Sequence, residues 1–123
     1  MNALGGKLRI FIVEDEALVA MLMEDILTDL GHEVSGIASR LHEAREIART
    51  GAFDLAILDV NLNGEPSYPI AETLRERRIP FAFATGYGGM GLDQSFADVP
   101  ALAKPYVTED VRRLIATLTG HLP

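Results

Sequence analysis

The sequence predicts an α/β fold: a doubly wound, five-stranded parallel sheet with helices on both faces. Three observations predict it. Leu55-Ala56-Ile57-Leu58 is a continuous apolar run of strand length that stops at Asp59, and a run without alternation suits a strand buried on both faces. Strand-like and helix-like patterns alternate five times along the chain, the order that builds a parallel sheet under helices. The informative polar residues fall just after strand-like runs. In a parallel sheet those ends share one edge, where open α/β sheets bind ligands.

Residues 1–7 read as a loose lead. Leu8 to Val13 is a first strand, rich in β-branched and aromatic residues, and it ends at Glu14-Asp15-Glu16. Ala17 to Leu30 carries Leu18, Leu22, Ile26 and Leu30, flanked by Val19, Met23 and Leu27, a broad helical stripe. Met21 and Met23 read as core filler. Gly31 stands where a helix commonly closes. Val34 to Ala38 is a weaker second strand. Ser39 is the expected N-cap of a helix carrying Leu41, Ala44, Ile47 and Ala48, stopped by Gly51.

After the third strand, Val60 to Pro69 is a loop with a strong turn signal at Asn63-Gly64. A short helix is expected from about Ile70 to Arg77, with Arg77-Arg78 as a solvated end that favours the helix dipole. Phe81 to Ala84 is a fourth strand, closed by Thr85. Gly86 to Gly91 contains four Gly in six residues, and any helix between Leu92 and Ala97 would be short. Ala101-Leu102-Ala103 is a fifth strand, followed by Lys104-Pro105. Thr108 is the expected cap of a last helix whose apolar face is Val111, Leu114, Ile115 and Leu118, ended by Gly120.

Composition bounds the function. The 123 residues suffice for one domain and one core. Cys is absent, which excludes thiolate metal sites and fits a reducing, cytoplasmic setting. No signal peptide is evident and no apolar run approaches bilayer length, so no membrane partner is expected. A net charge of −7 argues against nucleic acid as a partner. His32, His42 and His121 read as surface residues, none near another plausible ligand.

Glu14 and Asp15 follow strand one, Asp59 ends strand three, Thr85 ends strand four and Lys104 ends strand five. A lone Asp after a strand is ordinarily a turn or cap residue. Two acids, a third acid, a hydroxyl and an amine at four strand ends make a different pattern. Converging carboxylates need a cation, and an oxygen-only donor set suits Mg2+. Lys104 and Thr85 can hold phosphate oxygens. Asp59 sits centrally and is a candidate nucleophile, since carboxylates form acyl-phosphates. No Gly-rich phosphate loop follows strand one, which argues against a nucleotide- or flavin-phosphate enzyme. A haloacid-dehalogenase-type phosphatase would want an Asp where Asn61 stands.

In these residues and their order the chain resembles the receiver domain of bacterial two-component response regulators, roughly from Leu8 to Leu118. The resemblance implies a flavodoxin-like (βα)5 receiver fold over residues 8–120 and a signalling module rather than an enzyme; the chain stops about where the last helix does, so no output domain is expected. It implies that Asp59 accepts a phosphoryl group from a sensor histidine kinase or phosphotransfer protein and signals to a downstream protein through a conformational change. Asp15 and Asp59 would bind Mg2+ directly, Glu14 mainly through water and Asn61 through its backbone carbonyl. Thr85 and Lys104 would grip the phosphoryl oxygens. A monomer or weak dimer is expected. The alternative is a pseudo-receiver, a protein-binding scaffold that never takes phosphate.

Pro80 to Tyr87 looks like the receiver subfamily with a Phe-Ala-Thr-Gly-Tyr motif, found mostly in alphaproteobacteria and often as single-domain regulators. Three positions depart from the common receiver pattern. Ala101 replaces a strand-five Tyr or Phe, Gly86 a small Ala, and Asn63 a Pro. With no aromatic at position 101, Thr85 is the expected trigger. The segment from Gly86 to about Ala97, with Tyr87, is the expected switch, ordered on phosphorylation. Tyr106, after Lys104-Pro105, is expected to pack.

Overall fold

A computed structural model describes residues 6–86 and 92–120. β1 (Arg9–Val13) leads into α1 (Ala17–Asp29), β2 (Glu33–Ala38), α2 (Leu41–Thr50) and β3 (Leu55–Asp59). A short antiparallel hairpin follows, β4 (Asn61–Leu62) with β5 (Glu65–Pro66), and then α3 (Tyr68–Glu76). The chain continues through β6 (Phe81–Thr85), a single 3-10 turn at Gln94–Phe96, β7 (Ala101–Ala103) and α4 (Thr108–Thr119). The main sheet has the order β2-β1-β3-β6-β7, all neighbours parallel. The order reverses at β1 and β3, so the switch point lies between the ends of those two strands.

Each inner strand is buried on both faces because its residues alternate between two cores. Phe11, Val13, Ala56, Leu58, Phe81 and Phe83 meet Ala44 and Ala48 of α2 and Ile70, Ala71 and Leu74 of α3. Ile10, Ile12, Leu55, Ile57, Ala82 and Ala84 meet Met23, Ile26 and Leu27 of α1 and Val111, Leu114 and Ile115 of α4. This is the doubly wound sheet expected from the alternation of patterns. Among the described residues no helix is long and apolar enough to cross a membrane.

Several local expectations fail for identifiable reasons, but between Leu92 and Ala97, where any helix is expected to be short, only the 3-10 turn forms. The Asp93 carboxylate accepts from the Ser95 N–H and hydroxyl, and Pro100 follows within a few residues, which leaves no length for an α-helix. α2 is capped at Arg40, while the Ser39 N–H donates to Glu43 Oε1. α4 begins at Thr108, so Val107 is its N-cap. α3 starts earlier than expected, at Tyr68, because Pro69 is tolerated in a first helical turn. Arg77 does not serve its own helix end. It donates to Ala48 O at 2.6 Å and Gly51 O at 3.0 Å, closing the C-terminus of α2. α1 is rotated from the expected stripe: Ala20, Met23, Ile26 and Leu27 are buried, whereas Leu18, Met21 and Leu22 are exposed. Gly31 closes α1 as expected, at φ 91°.

His42 is exposed as expected, whereas His32 is half-buried and its Nδ1 accepts the Leu8 N–H at 3.1 Å. Burial holds its pKa below the ordinary histidine value. As pH falls, the unfolded chain takes up this proton before the folded one does. The contribution of His32 is therefore fully present above its unfolded pKa and is lost as pH falls through the folded pKa. Urea titrations from pH 8 to pH 5 are expected to show wild type losing more stability than His32→Gln. Parallel curves would contradict this.

Candidate functional site

β1, β3, β6 and β7 deliver their terminal residues to one edge. The Glu14 N–H donates to Ala38 O and the Lys104 N–H to Thr85 O, so ladder bonds fix both backbones beside the neighbouring strands. Asp59 pairs in register with Ala84, one residue before Thr85. One oxygen each from Glu14, Asp15 and Asp59 lies within 4.8 Å of the other two. Lys104 Nζ stands 3.1 Å from Asp59 Oδ2 and 3.0 Å from Glu14 Oε1. Thr85 is buried at the end of β6. The structure thus brings together Glu14, Asp15, Asp59 and Lys104, and sets Thr85 at the end of the strand between Asp59 and Lys104. The Lys104–Pro105 peptide bond is cis.

The electrostatics of this edge follow from burial. Glu14 is 3% exposed, and desolvation raises its pKa to about 7 against the opposing pull of Lys104. Its Oε2 accepts the Glu16 N–H. Its Oε1 faces Lys104 as an ion pair but accepts no directed hydrogen bond. Burial also works against the Lys104 charge, yet Glu14 and Asp59 outweigh it and hold the ammonium above its ordinary pKa. Tyr106 packs, as expected, against the core beneath α1 and α4, and burial followed by the Glu14 and Asp59 charges lifts its pKa well above the ordinary tyrosine range.

The hairpin after β3 roofs the acids. The Asn61 N–H donates to Asp59 Oδ1 at 3.3 Å and the Asn63 N–H to Asp15 Oδ2 at 2.9 Å. Asn63-Gly64 makes the tight turn its sequence announces, with φ 53° and 90°. Two positive φ values in a two-residue hairpin loop are what favours Asn-Gly there. The Asn63 contact with Asp15 escaped sequence reasoning, which registered only that a Pro was missing. Tyr87 lies outside the described residues, as do Gly88 to Gly91 and His121.

The donor set fits a hard divalent cation. All candidate ligands are oxygens, three carboxylates converge, and one buried oxygen, Glu14 Oε1, lacks a directed partner. A cation there would relieve the mutual repulsion that burial intensifies.

Fold and edge place the chain in the class of doubly wound domains that work at the C-terminal ends of their strands. Residues 10–116 match the family described as response regulator receiver domain. Among sequence relatives, the transcriptional regulatory protein PdtaR of Mycobacterium tuberculosis is 32% identical over 107 residues, 84% of this chain and 52% of PdtaR. The chain therefore spans about half the length of that relative. SdrG from Sphingomonas melonis Fr1 is 43% identical, covers 96% of this chain and 98% of its own, and superimposes with a TM-score of 0.82. The BeF3-activated conformation of SdrG, from Pseudomonas melonis Fr1, covers 97% and 99% at the same identity with a TM-score of 0.79. PhyR from Brucella abortus, 27% identical, covers 96% of this chain and 50% of its own with a TM-score of 0.79. The chain belongs to the response regulator receiver domain family, the bacterial modules of two-component signalling. Receiver domains bind Mg2+ through an acidic pocket, and here the acidic group is Glu14, Asp15 and Asp59.

Proposed function

We propose that this receiver takes a phosphoryl group on Asp59 from a phosphohistidine and signals through the resulting change of shape. The observation that carries the reading is the position of Asp59. Its carboxylate ends the central strand with the Lys104 ammonium 3.1 Å from Oδ2 and Glu14 and Asp15 alongside. An Asp59 oxygen would attack phosphorus as the donor N–P bond breaks, leaving an acyl-phosphate on Asp59 and a neutralised imidazole on the donor. Lys104 would meet a phosphoryl oxygen, exchanging its carboxylate partners for the new charge, and Thr85 would hold another. Asp15 and Asp59 would hold Mg2+, with Glu14 through water and the Asn61 carbonyl. When bound, the ion neutralises charge on the transferring group.

Incubation with acetyl phosphate and Mg2+ is expected to add one phosphate by intact mass, and Asp59→Asn is expected to add none. An adduct that persists unchanged in Asp59→Asn would overturn the assignment. No adduct in wild type would favour the non-phosphorylated scaffold.

A phosphohistidine donor must approach this same edge. Leu18, Met21 and Leu22 share one face of α1, the helix that begins just after the acids, and they are 80%, 57% and 43% exposed. This face fits the apolar docking surface of a sensor kinase or phosphotransfer helix. Burying a Leu is worth about 1.5–3 kcal/mol. Leu18→Asp should therefore slow phosphotransfer from the cognate donor about tenfold or more, while labelling by acetyl phosphate stays at the wild-type rate. Equal slowing with both donors would remove α1 from the docking surface.

A further inference from the structure

The two carboxylates at the mouth of the pocket are each held by a backbone amide of the β4–β5 hairpin. The Asn63 N–H donates to Asp15 Oδ2, and the Asn61 N–H to Asp59 Oδ1. The hairpin itself is fixed from both sides. Leu62 is fully buried in the core shared with α2 and α3. Gly64 donates to Asn61 Oδ1 at 2.6 Å, and the Ser67 N–H donates to Val60 O at 2.8 Å. Asp15 is only half-buried, and a half-buried carboxylate turns freely unless something holds it. The Asn63 amide holds one of its two oxygens.

We propose that Asn63 is a positioning residue: its backbone N–H, aimed by the left-handed turn, pre-orients Asp15 for the divalent cation of the pocket. The residue must satisfy two requirements, a free N–H and a φ near the observed 53°. Asn and Gly satisfy both. Pro satisfies neither, having no N–H and a φ fixed near −65°. Position 63 therefore sets how tightly the pocket holds its ion, through the backbone rather than through the Asn side chain. The inference rests on the reading of this pocket as a Mg2+ site.

Mg2+ titrations by calorimetry on wild type, Asn63→Pro and Asn63→Gly test it, alongside amide hydrogen exchange at Asn63 in wild type and Asp15→Ala without metal. A hydrogen bond to a charged group is strong enough that Asn63→Pro should weaken Mg2+ binding about tenfold or more. Asn63→Gly, which keeps the amide and the turn, should stay within about twofold of wild type. The Asn63 amide should exchange several-fold faster in Asp15→Ala. Equal Mg2+ affinity in all three proteins, or equal loss in the Pro and Gly variants, would overturn the proposal. So would an Asn63 amide that exchanges at the same rate with and without the Asp15 carboxylate, a measurement that decides even if Asn63→Pro does not fold. Failure of wild type to bind Mg2+ would instead remove the metal-site reading on which the proposal depends, and the proposal with it.

Discussion

Replacing Phe83 with Ala should lower the unfolding free energy by about 3–5 kcal/mol, the range for deleting a fully buried aromatic side chain. Phe83 has no solvent exposure and meets three other rings edge-on: Phe81 at 5.8 Å, Tyr68 at 5.8 Å and Phe96 at 5.7 Å between centroids. Its register partner on β7 is Ala101, too small to fill the space left behind. The loss should also loosen the 3-10 turn. Phe96 stacks on Tyr68 at 5.1 Å, and the Tyr68 hydroxyl accepts the Asp93 N–H at 2.7 Å. Urea unfolding measures the effect, and a cost below about 1.5 kcal/mol would mean that the cluster repacks around the gap.

Mg2+ at one hundred times its dissociation constant should raise stability by about 2.7 kcal/mol, the linkage gain for a ligand bound only by the folded state. The buried Glu14 carboxylate, Asp15 and Asp59 would supply the site. Asp15→Ala should lose most of that gain, and chelation should return wild type to its metal-free melting temperature. An identical Mg2+-dependent shift in wild type and Asp15→Ala would show that the ion acts elsewhere on this acidic chain.

Much of this architecture was legible because the strongest sequence signals were also the physically dominant ones. The unbroken run at Leu55–Leu58 can be buried only between two layers of helices, and it lies at the centre of the sheet. The polar residues closing four strand-like runs had to share an edge once the strands were parallel. That alone puts Glu14, Asp15, Asp59, Thr85 and Lys104 together at one edge. What escaped were details decided by tertiary contact. Ser39 and Thr108 are good caps by residue type, but the helices start one residue later and at Thr108 itself. The α1 stripe reads two ways at a period of 3.6, and the sheet chose Ala20, Met23 and Leu27 over Leu18 and Leu22. Arg77 looked like a solvated helix end, yet it reaches the carbonyls at the end of α2. The role of Asn63 lies in its backbone, which no side-chain pattern reports. The expected switch residue Tyr87 lies outside the described residues.

The central claim is that the phosphoryl group rests on the Asp59 carboxylate. Acyl-phosphates are reduced by borohydride to the alcohol, which marks the modified carboxyl in the peptide that contains it. Protein labelled with acetyl phosphate and Mg2+, reduced, digested and sequenced by mass spectrometry should carry the mark at position 59 alone. A mark at Glu14 or Asp15, or a phosphate found on a residue away from this edge, would contradict the account.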